Sequence, residues 1–218
     1  MNIIIIGAGG HSRVVYDILW HDHNLDVVAF VDNTVRGSEE AIMGVPVTGG
    51  HEEIPELVEE NNISGFIIAV GDNEIRCKHY NKLLEMGLEP VSAIHPEAYI
   101  SKTATIGPGT VVAPGVAVST NVEVGENSIL NTGSLVDHET SIGPHTHIAP
   151  GSTVAGRVKI DEMSFIGMGS TIRDFVRVGS NATVGAGSVV LEEVPPNVTV
   201  AGTPAEIKNQ KDTKHSVD

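Results

Sequence analysis

Residues 124–160 read VGENSILNTGSLVDHETSIGPHTHIAPGSTVAGRVKI, and they belong to a longer stretch, from Ile100 to Val190, with one regular spacing. Every sixth residue of this stretch is aliphatic, and no insertion or deletion disturbs the spacing. The aliphatic positions are Ile100, Ile106, Val112, Val118, Val124, Leu130, Val136, Ile142, Ile148, Val154, Ile160, Ile166, Ile172, Val178, Val184 and Val190. A small or β-branched residue stands two positions before each of them, as Ser152 does before Val154.

A period of six residues is not the period of an amphipathic helix. It predicts a β-solenoid of hexapeptide repeats, in which a short strand and a turn make one side of a prism and three sides make one coil. Each coil pairs with the next at the ~4.8 Å spacing of hydrogen-bonded strands. The interior of such a prism is narrow, which fits an aromatic content of only 4%.

The residues before the solenoid alternate predicted strands with predicted helices, which indicates a small parallel sheet of Rossmann type. We expect strands over 2–6, 27–31, 65–70 and 90–94, and helices over 12–20, 52–60 and 73–86. The predicted domains are 1–95 for this α/β unit, 96–207 for the solenoid with its C-terminal turn, and 208–218 for a flexible tail. The repeat itself is predicted to stop after Val190.

A glycine-rich turn, Gly7-Ala-Gly-Gly-His11, connects the first predicted strand to the first predicted helix. The backbone N–H groups of such a turn and the helix dipole suit a phosphate. Ser12 stands where the dinucleotide fingerprint requires its third glycine, and the unit is too short for both halves of a dinucleotide fold. We therefore expect a mononucleotide-type ligand near Asp32 rather than NAD. The plainer alternative is a tight turn that holds no ligand.

The composition excludes several classes of protein. A formal net charge of −15 argues against nucleic acid as a partner. The single cysteine, Cys77, rules out an intramolecular disulfide and a CxxC zinc site. The apolar run over 3–6 is far too short for a signal peptide or a membrane span, so the sequence predicts a cytoplasmic protein.

His138 is the strongest catalytic candidate in the solenoid. It is predicted to lie at a turn and point outward, Glu139 follows it, and Gly156 stacks on it one coil later. A histidine beside a backbone amide pairs a general base with a donor for a developing oxyanion. The plainer alternative is a solvated turn histidine.

His147 lies nine residues after His138, and the spacing puts the two histidines on different sides of the prism. They share a site only if two subunits meet, as they would in a homotrimer. A zinc site of His138, His145 and His147 between subunits is the competing interpretation. The spacing does not favour it, and we predict no metal.

A group of cations lies near these histidines: Arg157, Lys159, Arg173 and Arg177. They would suit the phosphates of coenzyme A. Ordinary salt bridges with Glu139, Glu162 or Asp174 explain the same residues equally well.

The sequence resembles the bacterial sugar acetyltransferases that place a small nucleotide-sugar domain before a hexapeptide β-helix. These include the sialic-acid O-acetyltransferases and the UDP-4-amino-sugar N-acetyltransferases of bacillosamine synthesis. The motifs that carry the resemblance are GAGGH at 7–11, VD at 31–32, IIAVGDNEIR at 67–76, NTGSLVDHE at 131–139, THI at 146–148 and AGRVKI at 155–160. The resemblance implies a left-handed parallel β-helix.

The resemblance also implies roles for individual residues. It implies His138 as general base, with Glu139 as the acid that raises its basicity. The implied acetyl-CoA contacts are His147, the Gly156 amide, Met168 and Ala186. The implied nucleotide-sugar contacts are Gly9, Gly10, His11, Asp32 and Gly71, with Asn131 near the reacting group. Asn33 stands where some relatives have a second aspartate, which leaves the nucleotide open, and His145 has no assigned role.

The expected function is direct acetyl transfer from acetyl-CoA to a nucleotide-linked sugar, without a covalent enzyme intermediate. No cysteine or serine adjoins His138 as an evident nucleophile. The match over 131–139 favours a UDP-linked 4-amino sugar as acceptor. One alternative is O-acetylation of sialic acid or of a polysaccharide precursor, and another is a nucleotide-sugar-binding module without catalysis.

Overall fold

The computed structural model describes residues 1–33 and 41–210. An N-terminal α/β unit contains a six-stranded sheet in the order β3-β4-β2-β1-β5-β6. Its strands are β1 (Asn2–Ile6), β2 (Asp26–Val31), β3 (Ala41–Ile42), β4 (Val45–Thr48), β5 (Ile63–Ile68) and β6 (Glu89–Pro90). The central strand β1 pairs in parallel with β2 and β5, whereas β3 pairs with β4 in antiparallel fashion. The run over 3–6 is apolar at every position because β1 is buried on both faces.

Among the described residues, three α-helices accompany this sheet, and they confirm the predicted helices to within two residues at each end. They are α1 (Gly10–Leu19), α2 (Ile54–Asn61), which follows a short 3-10 turn, and α3 (Asn73–Glu85). The carboxylate of Asp72 accepts from the N–H of Ile75 at 2.9 Å and caps the start of α3.

The predicted fourth strand over 90–94 is wrong as a single strand. Glu89–Pro90 pairs with β5, but β7 (Ala93–Ile94) pairs with a strand of the solenoid. The N–H of Val91 still donates to the carbonyl of Phe66 in β5 at 2.8 Å, whereas the N–H of Ala93 donates to the carbonyl of Thr110 in the solenoid at 3.0 Å, so the chain passes from the sheet to the solenoid between these two residues. The first solenoid strand therefore begins at Ala93, three residues before the expected start at 96.

The solenoid is confirmed as a prism of three parallel sheets. We call these the first, second and third face in the order in which the chain reaches them. The first face contains β7, β10 (Val111–Val112), β13 (Ile129–Leu130), β16 (His147–Ile148), β19 (Phe165–Ile166), β22 (Thr183–Val184), β24 (Val198–Ala201) and β25 (Glu206–Gln210). The second face contains β8 (Tyr99–Ile100), β11 (Ala117–Val118), β14 (Leu135–Val136), β17 (Thr153–Val154), β20 (Thr171–Ile172) and β23 (Val189–Val190). The third face contains β9 (Thr105–Ile106), β12 (Glu123–Val124), β15 (Ser141–Ile142), β18 (Lys159–Ile160) and β21 (Arg177–Val178).

The register of the faces is the one that the six-residue period predicts. Val118 pairs with Val136 and Val136 with Val154, so each coil takes eighteen residues. The aliphatic residues of the repeat from Val112 to Val190 are buried inside the prism, and small residues two positions earlier, such as Ser134 and Ser152, are buried as well. Among these, Ser152 donates its hydroxyl to the carbonyl of Gly167 at 2.9 Å, which satisfies a polar group inside the prism.

The solenoid continues beyond Val190, where the repeat was predicted to stop. Val194 forms a bridge with Val178, and Val200 pairs with Val184 in β22. This last coil is shorter than the others by two residues. Its aliphatic residues therefore do not fall at every sixth position of the sequence, and the six-residue period does not detect them. β25 then folds back on β24, so residues 208–210 belong to a strand and not to the predicted tail. The rest of that tail, 211–218, lies outside the described residues.

Three corners separate the faces and carry most of the candidate site residues of the solenoid. The first corner joins the first face to the second, as at 131–134 and 167–170. The second corner joins the second face to the third, as at 137–140 and 155–158. The third corner joins the third face back to the first, as at 143–146.

Arg76 of α3 fastens the α/β unit to the third corner of the solenoid. Its side chain is buried, with 1% exposure, and it donates to the carbonyls of Asn127 at 2.9 Å and His145 at 2.8 Å. It also donates to the carbonyls of Val70 and Gly71, both at 3.1 Å. These bonds fix the loop after β5 relative to the solenoid, and that loop is part of the candidate site.

Replacing Arg76 with alanine is expected to lower the free energy of unfolding by about 3 kcal/mol or more, because buried carbonyl groups would lose a charged donor. Urea denaturation followed by circular dichroism measures this change. Arg13→Ala is the matched control, since the exposed Arg13 also donates to a carbonyl, that of Gly9 at 3.0 Å. We expect the control to change the unfolding free energy by less than about 0.5 kcal/mol. Equal effects of the two substitutions would contradict the role assigned to Arg76.

Candidate active site

A pocket opens at the carboxyl ends of β1, β2 and β5, where ligands bind in open parallel sheets. It is lined by Ile6, Gly7, Val31, Asp32, Asn33, His51, Val70, Ile75 and His79. Asp32 accepts from the N–H of Ala8 at 2.7 Å and so holds the glycine-rich turn against the end of β2. Gly7 has a φ of +106°, and a side chain there would meet the carbonyl oxygen of Ala69 at 3.0 Å. The turn therefore requires glycine at this position.

The backbone at Gly9 and Gly10 faces open space. A Cβ atom at either residue would meet no other group within 4 Å. Gly9 caps α1 without a side-chain hydrogen bond, so the first N–H groups of the helix remain available to a ligand. This geometry suits a phosphate beside the pocket.

Sequence reasoning missed a pair of histidines, His51 and His79, in the wall of this pocket. Their rings stack with centroids 4.4 Å apart, and His51 Nε2 shares a hydrogen bond with His79 Nδ1. Burial lowers the pKa of His51 to about 4 and also lowers the pKa of His79. Both imidazoles are therefore neutral near pH 7, and one donates while the other accepts. The two residues lie 28 positions apart, and no spacing in the sequence connects them.

His147 lies with the predicted acceptor residues rather than with Gly156. Its Nδ1 lies 3.3 Å from the carbonyl oxygen of Gly71, and its Nε2 lies 3.2 Å from the amide nitrogen of Asn131. Burial, followed by the charge of Arg76, lowers the pKa of His147 to about 4. The neutral ring then donates from Nδ1 to Gly71 and accepts at Nε2 from Asn131.

His11 lies close to this chain of hydrogen bonds. Burial, followed by the charge of Arg76, lowers its pKa to about 4. Its Nε2 is buried and has no hydrogen-bond partner among the described residues. The structure thus brings His11, Gly71, Asn131 and His147 together where the α/β unit meets the first face.

The second corner contains the predicted catalytic residues. His138 Nδ1 lies 3.2 Å from Oε2 of Glu139, and the backbone N–H of His138 donates to Asp137 at 2.7 Å. A carboxylate at Nδ1 selects the tautomer with the proton on that nitrogen, which leaves Nε2 free to accept a proton. A Cβ atom at Gly156 would lie 2.6 Å from Nε2, so the imidazole lies directly against the Gly156 backbone as the spacing predicts.

Met168 and Ala186 stack at the first corner, one coil apart, and both are exposed. They are therefore not beside His138 and Gly156 within one chain. His147 and Asn131 likewise lie on the first face and first corner, away from His138. The predicted site residues thus form two groups on different sides of the prism.

The cations pair mainly with carboxylates. Arg157 Nε lies 2.8 Å from Glu139, and Arg177 lies 2.8 Å from Asp161. Lys159 is 3.7 Å from the same Asp161, a partner that the sequence did not indicate. These contacts favour the salt-bridge interpretation for these three cations.

The side chain of His145 is held by contacts with neighbouring residues of the protein. Its Nδ1 lies 2.9 Å from the amide nitrogen of Asn127, and its ring contacts Tyr80 edge-on. Within residues 1–33 and 41–210, no group of three or more histidine, cysteine, aspartate or glutamate side chains is placed to hold a metal ion. His138, His145 and His147 do not converge within one chain.

Two family models match the chain. Residues 2–83 match the PglD N-terminal domain, and residues 157–192 match the bacterial transferase hexapeptide model of six repeats.

Solved structures with high similarity cover nearly the whole chain. A variant of the GDP-perosamine N-acetyltransferase of Caulobacter crescentus, in complex with CoA and GDP-perosamine, is 36% identical with a TM-score of 0.89, covering 96% of this chain and 98% of that one. The acetyltransferase domain of PglB from Neisseria gonorrhoeae, in complex with acetyl coenzyme A, is 33% identical with a TM-score of 0.88, covering 95% and 98%.

A curated relative matches over a shorter stretch. The UDP-N-acetylbacillosamine N-acetyltransferase of Bacillus subtilis is 33% identical over 111 residues, which is 48% of this chain and 48% of the relative's own length. In the described part of the chain, every helix is too short or too polar to span a membrane.

Proposed function

Because this chain belongs to the bacterial hexapeptide-repeat acetyltransferases that carry an N-terminal nucleotide-sugar domain, we propose that it transfers the acetyl group of acetyl-CoA to the amine of a nucleotide-linked 4-amino sugar. The observation that carries the proposal is the geometry of His138, whose free Nε2 faces the backbone of Gly156. The relatives are named as N-acetyltransferases of sugar nucleotides, which favours an amine over a hydroxyl. We further propose that the enzyme acts in the cytoplasm.

The proposed reaction is a direct transfer. The sugar nitrogen attacks the thioester carbonyl, the C–N bond forms, and His138 Nε2 accepts the proton that the nitrogen loses. The Gly156 N–H stabilises the oxyanion of the tetrahedral intermediate. The C–S bond then breaks, and the CoA thiolate leaves and takes up the proton. Cys77 does not serve as a nucleophile, because burial raises the pKa of its thiol.

The acceptor nucleotide is proposed to occupy the pocket beside Asp32, with its diphosphate over Gly9 and Gly10. The open backbone at those two glycines and the free N-terminus of α1 support this placement. The sugar would then extend toward His11, Asn131 and Gly71. We expect UDP as the nucleotide, with GDP as the alternative.

An activity assay tests the proposal. The purified full chain is incubated with acetyl-CoA and one acceptor at a time, and release of the CoA thiol is recorded. We expect turnover with UDP-linked or GDP-linked 4-amino sugars and little with the same sugars that carry a 4-hydroxyl. Preference for a hydroxyl acceptor such as sialic acid would replace this proposal by O-acetylation. Binding of nucleotide sugars without any turnover would indicate a binding module.

We further propose that the active site forms between subunits of a homotrimer. One chain offers His138 and Gly156 at its second corner, and the next would offer Asn131 from its first corner and His147 from its first face. The apolar side chains of Tyr99 and Leu135 are exposed on the second face, which supports a covered surface beside His138. Met168 and Ala186 would complete the acetyl-CoA path from the first corner.

Sedimentation equilibrium at micromolar concentration is expected to give the mass of three chains. Mixed trimers of His138→Ala and His147→Ala chains are expected to regain part of the activity that each variant lacks, since some of their sites contain both histidines. Mixing each variant with itself is the control. A fully active monomer would contradict both the trimer and the shared site.

A further inference from the structure

Glu139, Arg157 and Phe175 occupy the same position of the second corner in three successive coils. All three have left-handed backbones, with φ values of 57°, 58° and 61°. Arg157 Nε lies 2.8 Å from Oε2 of Glu139 in the coil before it, and its guanidinium carbon lies 5.5 Å from the ring centroid of Phe175 in the coil after it. The Arg157 side chain is therefore held from both sides, by a carboxylate and by an aromatic face.

A single oxygen of Glu139 connects Arg157 to His138. Oε2 accepts from Arg157 Nε at 2.8 Å and lies 3.2 Å from His138 Nδ1. The pKa of Glu139 lies below its usual range, chiefly because of the hydrogen bond from Arg157 and then because of His138. The carboxylate thus remains ionised and keeps both contacts near pH 7.

The Glu139 side chain needs such a contact to stay in place. It is 45% exposed, and a solvated glutamate samples several rotamers. A rotamer that leaves His138 would release the imidazole from the tautomer and orientation in which Nε2 faces Gly156. Arg157 opposes that motion because it binds the oxygen that holds Nδ1.

We propose that Arg157 is a positioning residue, which clamps the Glu139 carboxylate against Nδ1 of His138 and so keeps Nε2 directed toward Gly156. This inference rests on the proposed function, in which His138 is the general base. It also gives Arg157 a role other than binding the phosphates of CoA. The two roles differ in the kinetic constant that they affect, since a clamp acts on kcat and a phosphate contact acts on the KM for acetyl-CoA.

The test uses Arg157→Asn, because Asn121 occupies the same corner position one coil before Glu139 with a φ of 55°. The backbone therefore accepts asparagine there. We expect kcat to fall by about fivefold, as loss of a half-exposed ion pair implies, with the KM for acetyl-CoA unchanged. Arg157→Lys, which keeps the charge, should recover part of the loss.

Arg177→Asn is the matched control. Arg177 is 54% exposed against 50% for Arg157, and it also pairs with a carboxylate at 2.8 Å. We expect the kcat of the Arg177→Asn enzyme to stay at the wild-type value.

A double-mutant cycle separates the clamp from a merely structural effect. In a Glu139→Ala enzyme, Arg157→Asn should cause no further loss of kcat. An equal loss in both backgrounds, a rise in the KM for acetyl-CoA alone, or no effect at all would each overturn the clamp. Failure of the proposed function is distinguishable, because a fully active His138→Ala enzyme would remove the base itself. An inactive His138→Ala with a normal Arg157→Asn would refute only the role of Arg157.

Discussion

Replacement of His138 by alanine is expected to lower kcat on the 4-amino sugar by roughly 10²–10⁴-fold, the range typical for loss of a general base. The Nε2 atom is the proton acceptor in the proposed transfer, and it lies against Gly156 with Glu139 at the opposite nitrogen. The KM for acetyl-CoA should change little, since the residue acts on the attacking amine. Steady-state kinetics with each substrate varied in turn measures both constants.

Two further variants sharpen this prediction. Glu139→Ala should cost less than His138→Ala, because it only loosens the imidazole. His23→Ala removes an exposed histidine of the α/β unit and should leave kcat unchanged. A His138→Ala enzyme with nearly wild-type kcat would remove His138 from the mechanism and leave the solenoid only a positioning role.

The solenoid could be predicted from the sequence because one physical constraint recurs in every coil. The interior of the prism admits only aliphatic and small side chains, so the pattern shows wherever a strand faces inward, as at Val118 and Val136. The constraint weakens at the two ends of the solenoid. Ala93–Ile94 resembles the end of a Rossmann strand, and the coil that contains Val194 and Val200 is two residues short. Only the backbone pairing in the structure shows that those two segments belong to the solenoid.

The contacts between residues of the site were less predictable from the sequence than the location of the site in the fold. The spacing of a solenoid relates residues one coil apart, which is why Gly156 could be placed on His138 from sequence alone. It says nothing of contacts between the two units, where His147 meets the carbonyl of Gly71. It also says nothing of His51 and His79, which meet only because a 3-10 turn and α3 border the same pocket.

Two histidines between the α/β unit and the solenoid, His11 and His147, are neutral near pH 7 because of their surroundings. Arg76 is buried there, and its charge lowers the pKa values of His11 and His147 in addition to the effect of burial. Neither residue is therefore a cation that would bind phosphate at neutral pH. They are better suited to orient neutral groups of the acceptor, such as hydroxyl groups and an uncharged amine. The base that takes up a proton lies elsewhere, at the second corner.

A Gly156→Ala substitution is expected to lower kcat by roughly 10²-fold, because a displacement of about 1 Å at a reacting group has effects of that size. The added Cβ atom would lie 2.6 Å from Nε2 and 2.7 Å from Cε1 of His138. The imidazole must then swing outward. Its side chain is 46% exposed, so the motion meets little resistance, and the free energy of unfolding should change by less than about 1 kcal/mol.

The displaced ring would no longer reach the oxygen of Glu139 or face the backbone of residue 156, so the base would be lost from its position although the N–H of residue 156 remains. Asp174→Ala is the matched control, since the exposed Asp174 occupies the same corner position one coil further along. We expect its kcat to equal that of the wild type. In a His138→Ala background, Gly156→Ala should have little further effect on kcat if it acts through the imidazole. A Gly156→Ala enzyme that turns over at the wild-type rate would show that close contact between this backbone and His138 is not needed for catalysis.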